Sequence, residues 1–133
     1  MSAEILIIED DKNSRELVAY LLTASGYATL SATNGEHGMQ CINAKCPDLV
    51  ICDLQMPIMD GYAVIRRLRA NPATRGLPVI AVTAFSMVGD RESVLTAGFN
   101  GYMSKPIEPE TFVAEVEQFL APGMRVARAP AAA

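Results

Sequence analysis

The 133-residue sequence has no tryptophan, one histidine and three cysteines, and each shortage removes a class of function. Cys41, Cys46 and Cys52 are odd in number and match no zinc-ligand spacing, so neither a disulfide framework nor a structural zinc site is expected. They read as reduced, largely buried small hydrophobes. His37 has no second ligand within helical reach and reads as a solvated surface residue. Eleven Lys and Arg stand against fifteen Asp and Glu, a net charge of -4. That balance argues against direct binding to nucleic acid or an anionic membrane surface, both of which need a basic face. No apolar run approaches the roughly 20 residues of a membrane span. No cationic stretch precedes residues 5–8 to make a signal peptide, so a cytoplasmic location is expected.

What is present is a repeating pattern. Apolar runs at residues 5–8, 49–52 and 79–82 and a short one at 101–103 read as strands, and 28–32 as a weaker, half-polar edge strand. Each is followed by residues at helical spacing: Leu17, Val18, Leu21 and Leu22; Met39 and Ile42; Val64, Ile65 and Leu68; Val94 and Leu95; and Phe112, Val113, Val116, Phe119 and Leu120. Asn13 with Glu16 forms a candidate capping box, Asn34-Gly35 and Asp60-Gly61 open helices, and Gly26 and Gly98 close them. Strands that are solidly apolar rather than alternating are buried on both faces. Five strand–helix repeats therefore predict an α/β fold: a parallel sheet with helices on both sides. One domain is expected over 1–121, followed by a flexible Ala/Pro-rich tail, 122–133.

In such a sheet, ligands bind beyond the carboxyl ends of the strands, at a switch point in strand order. Four separate segments end there in polar residues: Glu9-Asp10, Asp53, Thr83 and Lys105. Carboxylates crowded together cost several kcal/mol unless a cation sits among them. Hard oxygen ligands with no His or Cys nearby point to Mg²⁺. A metal, a lysine and a hydroxyl around one carboxylate make a receptacle for a phosphoryl group, which a carboxylate accepts as an aspartyl phosphate. Asp11 reads instead as favourable charge at the start of the first helix.

The segments IIEDD, VICDLQMPIMDG, AVTA and YMSKPI resemble those of the response-regulator receiver domain, the phosphoacceptor half of two-component signalling. The resemblance spans residue 4 to about residue 120. It extends to single-domain cell-cycle regulators of the DivK type, to chemotaxis-type regulators and to receivers attached to hybrid kinases. Met1 just before the first strand favours a free-standing receiver. The resemblance implies a flavodoxin-like (βα)5 three-layer sandwich, its parallel five-stranded sheet in the order 2-1-3-4-5. Asp53 would be phosphorylated, Asp10 would bind Mg²⁺ directly and Glu9 mostly through water, and the backbone carbonyl of Gln55 would be a further ligand. Thr83 and Lys105 would contact the phosphoryl oxygens, and Tyr102 would be the aromatic that turns inward with Thr83. A cis Lys105-Pro106 bond is implied, and Pro57 and Gly61 would shape the metal pocket.

By the same resemblance, the phosphoryl donor is a sensor histidine kinase or phosphotransfer protein. The output is a downstream protein bound on the face of the fourth helix, fifth strand and fifth helix. The chain is expected as a monomer or a phosphorylation-dependent dimer. Gln55 and Phe85 stand where the family tunes dephosphorylation, and neither is acidic, so a phosphoryl lifetime of roughly minutes or longer is expected. A haloacid-dehalogenase-type phosphatase is the alternative from another class, but it needs an acid at position 55. A pseudo-receiver would require the loss of a site residue, and none is lost. The chain is therefore expected to be a regulator that catalyses only its own phosphorylation and dephosphorylation.

Overall fold

The computed structural model describes residues 3–84 and 90–126. The chain runs β1 (Glu4–Ile8), α1 (Lys12–Ala24), β2 (Ala28–Ala32), α2 (Gly35–Ala44), β3 (Leu49–Asp53), α3 (Gly61–Ala70), β4 (Val79–Thr83), α4 (Asp90–Ala97), β5 (Gly101–Ser104) and α5 (Phe112–Glu117), then a 3-10 turn at Pro122–Met124. All strand pairs are parallel, in the order β2-β1-β3-β4-β5. The flavodoxin-like architecture is the one expected. The chain leaves β1 outward to β2 and returns on its other side to β3, so the switch point lies between β1 and β3.

Because strand side chains alternate, the sheet divides its apolar residues between two cores. Leu6, Ile8, Val50, Cys52, Val79 and Ala81 pack with Ile42 of α2, Val64, Ile65 and Leu68 of α3, and Val94 of α4. Ile5, Ile7, Leu49, Ile51, Ile80, Val82 and Met103 face the other way, onto Val18 and Leu22 of α1 and Phe112 and Val116 of α5. All five residues of β3 and of β4 are buried, which explains their solid apolar runs. Edge strand β2 buries fully only Ala32.

The helix starts show local chemistry at work. Asn34 and Asp60 cap α2 and α3, accepting hydrogen bonds from the amides of His37 and Ala63. The first helix differs from expectation: Asp11, not Asn13, is its cap, accepting from the Ser14 amide at 2.9 Å. That hydrogen bond holds the Asp11 carboxyl below its usual range. Of the apolar residues at helical spacing in α1, Val18 and Leu22 are buried whereas Leu17 is exposed, because a 13-residue helix presents a narrower stripe to the sheet than the spacing alone indicates. Gly26 and Gly98 lie at positive φ just beyond α1 and α4, the left-handed closure that glycine permits.

Two further expectations change. Cys52 is buried and Cys41 half-buried, but Cys46 is exposed in the loop before β3. Residues 122–126, taken as the start of a flexible tail, fold back on the body. The Val126 amide donates to Tyr27 Oη at 3.0 Å and its side chain covers Gly26, while Tyr27 Oη donates to the buried carboxylate of Glu117. The polar anchor at Val126 holds this strap where composition alone indicated free chain. Phe85, Met87 and residues 127–133 lie outside the described residues.

Candidate functional site

Register determines which side chains meet. Ile8 pairs with Cys52, Cys52 with Ala81 and Ala81 with Tyr102. One step further, Glu9 therefore aligns with Asp53, Val82 and Met103, and Lys105 follows two residues after Met103. Glu9, Asp53 and Lys105 share the parity of Ile7, Ile51 and Met103, so all three project toward the α1/α5 side. Thr83 and Tyr102 have the opposite parity and lie on the α3/α4 side, on neighbouring strands. Tyr102 is half-buried against that core.

At the switch point Glu9 and Asp53 are buried, 5% and 6% exposed, while Asp10 is exposed. One oxygen from each of Glu9, Asp10 and Asp53 lies within 4.8 Å of the others. Lys105 Nζ donates to Glu9 Oε1 at 2.5 Å and to Asp53 Oδ2 at 3.4 Å, so one ammonium bridges two of the three acids. The Lys105 amide donates to the Thr83 carbonyl at 2.8 Å, and the Lys105-Pro106 peptide is cis. Burial and the neighbouring Asp53 carboxyl push Glu9 up to about 7, against the pull of Lys105. Burial disfavours the Lys105 charge, but the Glu9 and Asp53 carboxylates outweigh it and hold the ammonium above its ordinary value.

Backbone contacts hold the carboxylates in place. The Gln55 amide donates to Asp53 Oδ1 at 3.2 Å, leaving the Gln55 side chain in solvent. Gly61 is required because a β-carbon there would sit 2.6 Å from the Asp53 carbonyl. The sequence reading missed Arg15. Its Nη1 donates to the Glu9 carbonyl at 2.9 Å and to the Asp10 carbonyl at 3.4 Å, pinning the acidic turn to α1. No spacing rule signals that contact. His37, by contrast, is exposed as expected and accepts from the Thr33 amide through Nδ1 at 3.3 Å.

The donor set fits a hard divalent cation. It consists of three carboxylates within mutual reach, without His or Cys among them, and with two of the acids buried beyond what one lysine neutralises. A doubly wound parallel sheet that gathers three acids and a lysine at its switch point defines a phosphoacceptor switch rather than a nucleotide-binding or metabolic α/β enzyme. The response regulator receiver domain family model matches residues 5–117, and the chain belongs to that family. The polar-differentiation response regulator DivK of Brucella anthropi is 36% identical over 120 residues, covering 90% of this chain and 98% of that protein. The signal receiver domain of a histidine kinase from Syntrophus aciditrophicus superposes with a TM-score of 0.83 at 33% identity, covering 98% of this chain and 99% of that one. The receiver domain of a sensor histidine kinase from Pseudomonas aeruginosa, solved with a magnesium ion coordinated in its active-site cleft, gives 0.81 at 29% identity, covering 90% and 98%. The chain is thus a receiver of two-component signalling, and no described helix is long and apolar enough to cross a membrane.

Proposed function

We propose that Asp53 is the residue that accepts the phosphoryl group, and that Glu9, Asp10, Asp53 and the Gln55 carbonyl hold Mg²⁺. The observation that carries this reading is the Lys105 bridge. A half-buried ammonium shared between Glu9 and Asp53 puts a positive charge beside the carboxylate that would attack phosphorus. When bound, Mg²⁺ neutralises charge on the transferring phosphoryl oxygens. The Asp53 carboxylate is held for in-line attack by the Gln55 backbone amide, and Gly61 lets its own segment pack against the Asp53 backbone carbonyl. Lys105 releases its contact with Asp53 and meets a phosphoryl oxygen. The Thr83 hydroxyl, from the other face of the sheet, meets another. Movement of Thr83 frees space beside Tyr102 on the same face, biasing a pre-existing equilibrium of the α4–β5–α5 surface.

That surface carries a groove lined by Leu95, Tyr102, Met103, Ile107, Phe112 and Phe119, the proposed seat of a downstream protein. The donor is a sensor histidine kinase or phosphotransfer protein, the setting is cytoplasmic, and the chain acts as a monomer or a phosphorylation-dependent dimer. The exposed amide of Gln55 is no general base for hydrolysis, which supports a long-lived phosphoryl group and opposes the phosphatase reading. Labelling with acetyl phosphate and Mg²⁺ tests the assignment: Asp53→Asn is expected to lose all label. Wild-type labelling of that variant would refute it.

A further inference from the structure

Arginine is distributed unevenly along the chain. Residues 61–89 contain four arginines and no aspartate or glutamate, whereas all fifteen acids and the other seven basic residues lie elsewhere. One of the four has a task within the fold: Arg69 donates to the carbonyls of Gly98, Arg75 and Leu77 and to Asn100 Oδ1. Arg66, Arg67 and Arg75 have none of that kind. All three are exposed. Among the described residues they form no ion pair, in contrast to Lys12 with Glu16 and Lys45 with Glu4. Their neighbours one turn away on α3, Tyr62, Ala63, Ala70 and Asn71, are uncharged, and Arg66 meets the like charge of Arg69 three residues on, which mildly destabilises the helix. Positive charge near the carbonyl end of a helix complements its dipole. That accounts for Arg67 in the last turn, but not for Arg66 in mid-helix or for Arg75 beyond it.

The three charges stand on a rigid frame. Thr74 Oγ1 donates to the Leu68 carbonyl at 2.8 Å, the Leu77 amide donates to the Thr74 carbonyl at 3.0 Å, and Arg69 Nη1 donates to the Arg75 carbonyl at 2.9 Å. The loop from α3 to β4 is thereby folded against the last turn of α3, which brings Arg75 beside the helix that carries Arg66 and Arg67. Helix α3 starts against the Asp53 carbonyl and runs away from it, with Arg66 about 7.5 Å along its axis and Arg75 shortly before β4. The basic surface therefore lies toward the opposite end of the sheet from the phosphoryl site.

We propose that this face, Arg66 and Arg67 of α3 with Arg75 of the following loop, docks an acidic segment of another protein, and does so whether or not Asp53 is phosphorylated. Guanidinium forks pair bidentately with carboxylates, and a preformed set of donors spares the ordering cost of a mobile loop. A nucleic acid fits less well. It would extend past a patch of three residues onto a surface that carries all of the chain's negative charge.

The test uses a short fluorescein-labelled peptide of alternating glutamate and glycine, followed by anisotropy at low salt, where exposed charges are least screened. The double variant Arg66→Gln/Arg67→Gln is expected to bind it at least about fivefold more weakly than the wild type. The control Lys12→Gln/Lys45→Gln removes the same charge elsewhere on the surface and should change binding by less than about twofold. Arg75→Gln should weaken binding on its own, and treatment of the wild type with acetyl phosphate in constant Mg²⁺ should leave it unchanged. No binding by the wild type, or equal losses in the two double variants, overturns the inference. Tighter binding of a single-stranded DNA of equal charge at the same arginines overturns the choice of a protein segment. Self-association of the wild type that is lost in Arg66→Gln/Arg67→Gln also overturns it, since the face would then serve a second copy of this chain.

Discussion

Replacing Lys105 by methionine tests the electrostatics of the site most directly, because the methylene packing is kept and the charge removed. In the wild type one ammonium serves two buried carboxylates, Glu9 at 2.5 Å and Asp53 at 3.4 Å, with only 19% of its own side chain exposed. Breaking a fully buried pair by deleting one partner costs about 3–5 kcal/mol. The residual exposure of Lys105 and the nearby solvent at Asp10 place this case at about 2–3 kcal/mol. The acids have an escape, since Glu9 already titrates near 7 in the presence of the lysine. A raised carboxyl favours the folded state while protonated, and that advantage is lost as pH rises through the folded value. Removing Lys105 raises Glu9 further, so the variant's deficit should be small near pH 5 and grow as pH rises above about 7. Thermal unfolding in EDTA should show a drop of about 6–10 °C at the higher pH and under about 3 °C at the lower. Added Mg²⁺ should recover more stability in the variant than in the wild type at about pH 8, by mass action at the same negative cluster. An equal drop at both pH values would refute the charge argument and assign Lys105 to packing alone.

Other perturbations separate the parts of the site and the scaffold. Asp10→Asn should leave the fold intact and weaken Mg²⁺ affinity about tenfold, as titration calorimetry would read, because one ligand charge is removed from an exposed position. Thr83→Ala should still be labelled by acetyl phosphate yet lose the phosphorylation-dependent chemical shifts of Tyr102; retention of those shifts would separate the two residues. Tyr27→Phe removes the hydroxyl shared between Glu117 and the Val126 amide, and should cost about 1–2 kcal/mol with faster hydrogen exchange at Val126. Arg69→Met should cost about 2–3 kcal/mol in denaturant unfolding. The guanidinium donates to the carbonyls of Gly98 at 2.9 Å, Arg75 at 2.9 Å and Leu77 at 2.8 Å, and to Asn100 Oδ1 at 2.8 Å. It thereby ties the end of α3 to the loops before β4 and β5, and no paired acid in the sequence announced it.

The sequence by itself carried the order of elements and the polar residues that stand at the strand ends. Ile5, Leu49 and Val79 open runs whose every residue is apolar because both sheet faces are covered, and a local pattern is enough to record that. Glu9, Asp53 and Thr83 stood out because each directly follows such a run, and Lys105 because it comes just after the short fifth strand. The strand order came from resemblance of whole motifs, since periodicity contains no information on which strand lies beside which. Tertiary structure decided the rest. Register of β1 on β3 and β4 on β5 put Glu9, Asp53 and Lys105 on the α1/α5 side and Thr83 with Tyr102 on the other. The lysine bridge, the Arg15 clasp on the acidic turn and the choice of Asp11 over Asn13 as cap all depend on partners set by the assembled fold. Burial and register are properties of contacts between distant residues. A pattern read along one strand shows which side chain stands at its end, and only the neighbouring strands determine what it stands against.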